Sequence, residues 1–86
     1  MNQRLKLFET GLQKCEALLD KYPDNPTLNS ISEKLLYLIG LERGTYPDRS
    51  RLKDIIIGIQ TAREIEPLAG DAAEVFYQVA GEARRM

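Results

Sequence analysis

The chain contains no histidine, no tryptophan and one cysteine, Cys15. Without histidine it lacks the commonest general base near neutral pH and the commonest metal ligand. A lone cysteine supports neither an internal disulfide nor a thiolate metal cluster. An excess of one charge sign is also missing. Twelve lysines and arginines stand against thirteen aspartates and glutamates, a formal net charge of -1, which argues against a general nucleic-acid binder. No run of about 18 apolar residues occurs, so no membrane span is expected. Arg4 and Lys6 near the start are not followed by an apolar block. No signal peptide is therefore expected, and the cytoplasm is the expected compartment.

What is present is ordinary globular composition: 86 residues, 43% hydrophobic and 29% charged. This suits a single helical domain over residues 1–86, of modest stability because so short a chain buries only about 60% of its unfolded surface.

The apolar residues recur at helical spacing. Leu5, Phe8, Leu12, Cys15, Leu19 and Tyr22 advance in steps of three and four, predicting a helix over 2–21. The run Tyr22-Pro23-Asp24-Asn25-Pro26 breaks it, because proline cannot continue a helix. Leu28, Ile31, Leu35 and Leu38, widened by Leu36 and Ile39, predict a second helix over 27–43. Gly44 suits the left-handed position just past its end. Asp48 or Ser50 offers an N-cap for a third helix, with Leu52, Ile55, Ile56, Ile59 and Ala62 on one face to about residue 65. The triplet at 55–57 also fits a strand by β-branching. The helical spacing continues to Glu64 and no partner strand stands elsewhere, so helix is preferred. After Pro67, Ala69 and Gly70, Asp71 is expected to cap a fourth helix. Its inward face is Ala72, Val75, Phe76, Val79, Ala80 and Ala83, and Arg84 and Arg85 complement the dipole at its end. Short connections favour antiparallel neighbours. The expected fold is all-α: a compact antiparallel four-helix bundle, or three long helices and a shorter one. Each helix has an interior glycine (Gly11, Gly40, Gly58, Gly81), read as close helix contact in preference to close approach of a partner backbone.

The parts of an enzyme are absent. Serine, threonine and cysteine nucleophiles need an adjacent base, and there is no histidine. Cys15 lies on the apolar seam of the first helix and reads as a buried small hydrophobe. The glycines are scattered singly and form no phosphate-cradling loop. Glu64 and Glu66 are two apart, and such residues do not face each other on a helix. No calcium-loop spacing occurs. The expectation is no catalysis, no cofactor and no bound metal.

Charge and aromatics point instead to a surface. Between Arg63 and Glu74 one cation meets four carboxylates, Glu64, Glu66, Asp71 and Glu74, a local net of -3. Residues 42–54 carry a local net of +1. A solvated surface explains any one of these charges; together they suit electrostatic docking to a basic partner. Phe8, Tyr22 and Phe76 fall on core stripes. Tyr37 lies about 200° around its helix from Leu35, away from the seam. Tyr46 falls in a loop, and Tyr77 flanks the last stripe. Semi-exposed tyrosines serve equally as edge cover or as interface anchors.

The order of features adds a family likeness. Tyr22-Pro23 is followed by Ser32-Glu33-Lys34, Leu36-Tyr37-Leu38-Ile39, Asp48-Arg49-Ser50 before Leu52, Gly58, Arg63-Glu64-Ile65-Glu66 and Tyr77. Over about residues 12–77, with single-residue gaps near Pro26 and Tyr46, this succession resembles a small helical family of bacterial immunity proteins. That family neutralises a type VI secretion effector whose toxin domain is an NAD(P)+ glycohydrolase. The collinear set carries the likeness; no single piece is a motif, and residues 44–47 and 67–71 depart from it. The resemblance implies a non-catalytic protein that binds its cognate toxin as a heterodimer and occludes the active site. Tyr37, Glu64, Glu66 and Tyr77 are then the candidate partner-binding residues. Glu33-Lys34 and Asp48-Arg49-Ser50 read as structural, with Asp48 a cap and Lys34 and Arg49 surface pairing partners. A tetratricopeptide-like adaptor or self-assembling module is the alternative, because residues 18–26 faintly resemble the end of a tetratricopeptide helix. A regulator acting on nucleic acid is disfavoured by the neutral charge.

Overall fold

In the computed structural model the described residues are 3–45, 58 and 61–86. They form helix α1 (Gln3–Lys21), helix α2 (Pro26–Arg43), a π-helical turn (Thr61–Ile65) and helix α3 (Gly70–Arg85). The described residues are thus all-helical in their regular structure, with four such elements and no strand among them. The expected cap at Asp48 or Ser50, the face at Leu52, Ile55, Ile56 and Ile59, the side chain of Ala62, and Tyr46 lie outside the described residues.

Helix α1 buries Phe8, Gly11 and Cys15 and half-buries Leu5, Leu12 and Leu19 on the expected seam. Tyr22 leaves that seam and is 42% exposed. Its N–H still closes the last helical turn onto the Leu18 carbonyl at 2.9 Å, so it stands at the very end of the helix, beyond the buried part of the seam. The turn into α2 is built by Asn25. Its side-chain oxygen accepts from the backbone N–H of Thr27 at 3.0 Å and of Leu28 at 3.1 Å. Pro26 stands in the first helical turn, where no intrahelical donor is needed. The helix therefore begins at Pro26 instead of after it.

Helix α2 buries Leu28, Ile31, Leu35, Leu38 and Ile39 as expected, and also Gly40 and Leu41. Leu36 does not widen the stripe; about 100° around from Leu35, it is 52% exposed. Gly44 adopts φ 78°, ψ 13°. Its N–H donates to the Leu41 carbonyl, and that of Thr45 to the Gly40 carbonyl. This paired closure satisfies the last carbonyls of the helix.

The segment expected to end an ordinary third helix ends in a π turn. The N–H of Glu66 donates to the carbonyl of Thr61 at 2.8 Å, five residues back. Thr61 and Ile65 are both fully buried. Helix α3 then buries Ala72, Ala73, Phe76, Val79, Ala80 and Ala83, with Val75 half-buried. Asp71 is not its N-cap. Ala69 holds that place in extended conformation with no side-chain bond, and Asp71 sits inside the first turn.

Helix α1 is the hub, packing on both α2 and α3, while the π turn packs on α3. Ion pairs show the antiparallel order. Near the start of α1, Arg4 reaches Glu42 (3.5 Å) at the end of α2 and Glu82 (3.1 Å) at the end of α3. Arg43 meets Glu9. At the opposite end Lys14 approaches Asp71 at 3.5 Å. Gly11 sits where the three helices meet. A Cβ there would lie 3.2 Å from Val79 Cγ2 and 3.3 Å from Leu35 Cδ2. The radius of gyration, 12.0 Å, matches the roughly 12 Å of a compact globular chain this long.

Candidate functional site

The acidic stretch between Arg63 and Glu74 folds into one exposed corner. It starts in the π turn, crosses Glu66 and Pro67, and enters α3. Arg63, Glu64, Glu66, Asp71 and Glu74 are all exposed there. Two backbone bonds to the Ile65 carbonyl, from Leu68 (2.9 Å) and Ala69 (2.7 Å), turn the chain sharply. That turn brings residues eleven apart together. The hydroxyl of Tyr77 donates to Glu66 Oε2 at 2.5 Å. The bond to a carboxylate holds the phenol above its ordinary pKa. Asp71 is held below the usual carboxylate range, first by the N–H of Ala72 and then by Lys14. Its charge near the start of α3 also suits the helix dipole.

The four residues singled out in the sequence divide between two places. Glu66 and Tyr77 are joined, and Glu64 lies exposed in the turn just before Glu66. Tyr37 stands apart, half-buried on α2, whose main packing partner is α1. Lys34, expected to pair at the surface, is half-buried and donates to Ser30 Oγ at 3.1 Å. Burial holds its amine below the ordinary value.

The corner is an exposed, predominantly acidic surface with one tyrosine held against it. Cys15 is fully buried, donates to the Leu28 carbonyl at 3.2 Å, and has its thiol pushed up by burial to about 11. A thiol so placed is a packing group and not a nucleophile. Among the described residues no three carboxylates or thiols stand close enough to share a metal ion. No helix among them is long and apolar enough to cross a membrane.

A model of the Tsi6 family matches residues 3–85. The chain belongs to the Tsi6 family. Tsi6 proteins are the type VI secretion immunity proteins for NAD(P)+ glycohydrolase effectors. The chain is accordingly an immunity protein and not an enzyme, and its partner is a cognate effector toxin. No curated protein and no solved structure matches the chain. The Tsi6 match extends through residues 44–47 and 67–71, where the quoted succession of residues departs from the family pattern.

Sequence reasoning missed Leu68 and Tyr22 as surface residues. Leu68 is 37% exposed. Its place between Pro67 and Ala69, outside any helical stripe, is the signal that was available for it.

Proposed function

We propose that this Tsi6 protein works in the cytoplasm as a one-to-one inhibitor that covers the active-site cleft of its effector, with the acidic corner facing the cleft. The observation that supports this reading most is the exposed set Glu64, Glu66, Asp71 and Glu74 beside a tyrosine fixed by Glu66. A pocket that takes a dinucleotide must stabilise phosphates, and does so with cations and free N–H groups. Carboxylates placed over its mouth meet complementary potential, which raises association rate and selects the partner. Tyr77, with one rotamer tethered by Glu66, is suited to be an anchor because little side-chain freedom remains to be lost. Tyr37 belongs to the interface only if the effector also reaches α2. A stable complex of this kind buries at least about 1,200 Å².

The test is co-expression with the toxin domain of the cognate effector, sought first in the adjacent open reading frame, following survival and NAD(P)+ level. The wild-type chain preserves both. Charge reversal at Glu64 and Glu66 together weakens protection while helicity stays unchanged, since both side chains are exposed. Full protection by the folded double variant removes them from the interface. Continued NAD(P)+ loss despite a stable complex refutes occlusion.

A further inference from the structure

Beside the acidic corner, a groove of about 390 Å³ runs between the C-terminal half of α1 and the start of α3. Ala17, Leu18, Leu68, Ala69 and Ala72 give it apolar lining; Tyr22, Lys14, Lys21 and Asp71 add polar groups. Tyr22 and Leu68 are two of the four large hydrophobic residues left exposed among the described residues. Exposed apolar side chains gathered around a concavity mark a contact site more strongly than single ones scattered over a surface. Asp71 belongs both to the groove and to the acidic corner, so the two are continuous. At about 100° per residue, Glu74 lies about 60° around α3 from Asp71, and Tyr77 about 60° further. The exposed face of α3 is therefore a strip of carboxylate, with the groove, lined in part by Lys14 and Lys21 as well as by its alanines and leucines, on one flank and a tyrosine on the other.

We propose that this groove is the anchoring pocket for the effector. It takes one apolar side chain of the toxin domain, while Asp71 and Glu74 beside it take a neighbouring lysine or arginine. The proposal rests on the effector-binding reading above and adds to it the chemistry the toxin presents: an apolar residue next to a basic one. The basic character expected around a phosphate-binding cleft supplies the second half of that pairing. Desolvated apolar anchors in pockets, ringed by polar contacts, carry most of the binding energy in such interfaces. The Lys14–Asp71 pair is exposed on both sides, so a competing cation from the toxin exchanges for it at little loss.

The test uses the full chain and the purified toxin domain of the cognate effector, with affinity measured by calorimetry and inhibition by NAD(P)+ hydrolysis. Ala17 is exposed, so Ala17→Trp fills the groove from the surface. Leu68→Ala opens its wall and decides the matter should the first variant fail to fold. Each is expected to weaken binding at least tenfold. Leu36→Ala, which removes a still more exposed leucine elsewhere, is expected to change it less than twofold. Hydrogen exchange on complex formation is expected to slow over residues 14–22 and 67–72. Wild-type affinity in the folded groove variants overturns the pocket and leaves occlusion standing. Self-association of the wild type that Ala17→Trp abolishes, with toxin binding unchanged, gives the groove to a second copy and also overturns it. A wild-type chain that neither binds nor inhibits the toxin refutes both readings.

Discussion

Replacing Gly11 by alanine sets two effects of similar size against each other, and the structure decides the sign. Alanine is better than glycine in a helix interior by about 1 kcal/mol. The new Cβ, however, arrives 3.2 Å from Val79 Cγ2 and 3.3 Å from Leu35 Cδ2. Both neighbours are fully buried, so neither has solvent to move into. Overfilling such a contact typically costs about 1–3 kcal/mol. The expected balance for Gly11→Ala is a net loss of about 1 kcal/mol. Gly81, inside α3, provides the opposite case. Apart from its chain neighbours and its own helix backbone, no heavy atom among the described residues lies within 4 Å of a Cβ built there, so Gly81→Ala is expected to gain about 0.5–1 kcal/mol. In a domain this small, 1 kcal/mol moves the thermal midpoint by about 4–8 °C. The two variants should therefore part on either side of wild type by circular dichroism melts. Urea titrations should show shifted midpoints with unchanged slopes. A Gly11→Ala protein as stable as wild type, or more so, would falsify the reading of Gly11 as a tight three-helix contact.

Asn25→Ala removes the oxygen that satisfies two N–H groups at the start of α2; a loss of about 1 kcal/mol in chemical denaturation is expected, and an unchanged midpoint would show the cap to be dispensable. The Cys15 thiol, raised from 9.0 to about 11, makes a signed prediction for alkaline pH. The unfolded chain releases this proton first, so the thiol's contribution to stability is complete below pH 9 and is lost as pH rises through 11. The drop in melting temperature across that window should be shallower in Cys15→Ala than in wild type. At pH 7 the rise of the thiol to about 11 by itself lowers the thiolate fraction roughly a hundredfold, so a thiol reagent should label the native protein at least that much more slowly than the urea-unfolded one. Equal labelling rates would contradict the burial of Cys15.

The family reading and the helices were legible for related reasons. Steps of three and four place Leu28, Ile31, Leu35 and Leu38 on one side of any helix that forms, whatever surrounds it. Gly44 reads as a helix end because few other residues tolerate its left-handed backbone. The acidic character of the corner is legible too, since a run of charge in one short segment stays together however the chain turns. Asn25 is open to the same kind of reading, because a cap is a local device that satisfies the first N–H groups of the helix it precedes.

What the tertiary structure alone decided depends on how the chain passes from one element to the next. Residues 66 and 77 meet because the chain reverses over Leu68 and Ala69, and helical periodicity carries no information across such a turn. The π turn at 61–65 exists because one hydrogen bond reaches a residue further than in an α-helix, a difference of register that composition does not mark. Tyr22 and Leu68 come to share a groove because α1 and α3 run antiparallel and bring the end of one beside the start of the other. Periodicity specifies which face of each helix turns inward; the contacts between helices settle which outward residues become neighbours, and on that surface a partner is recognised.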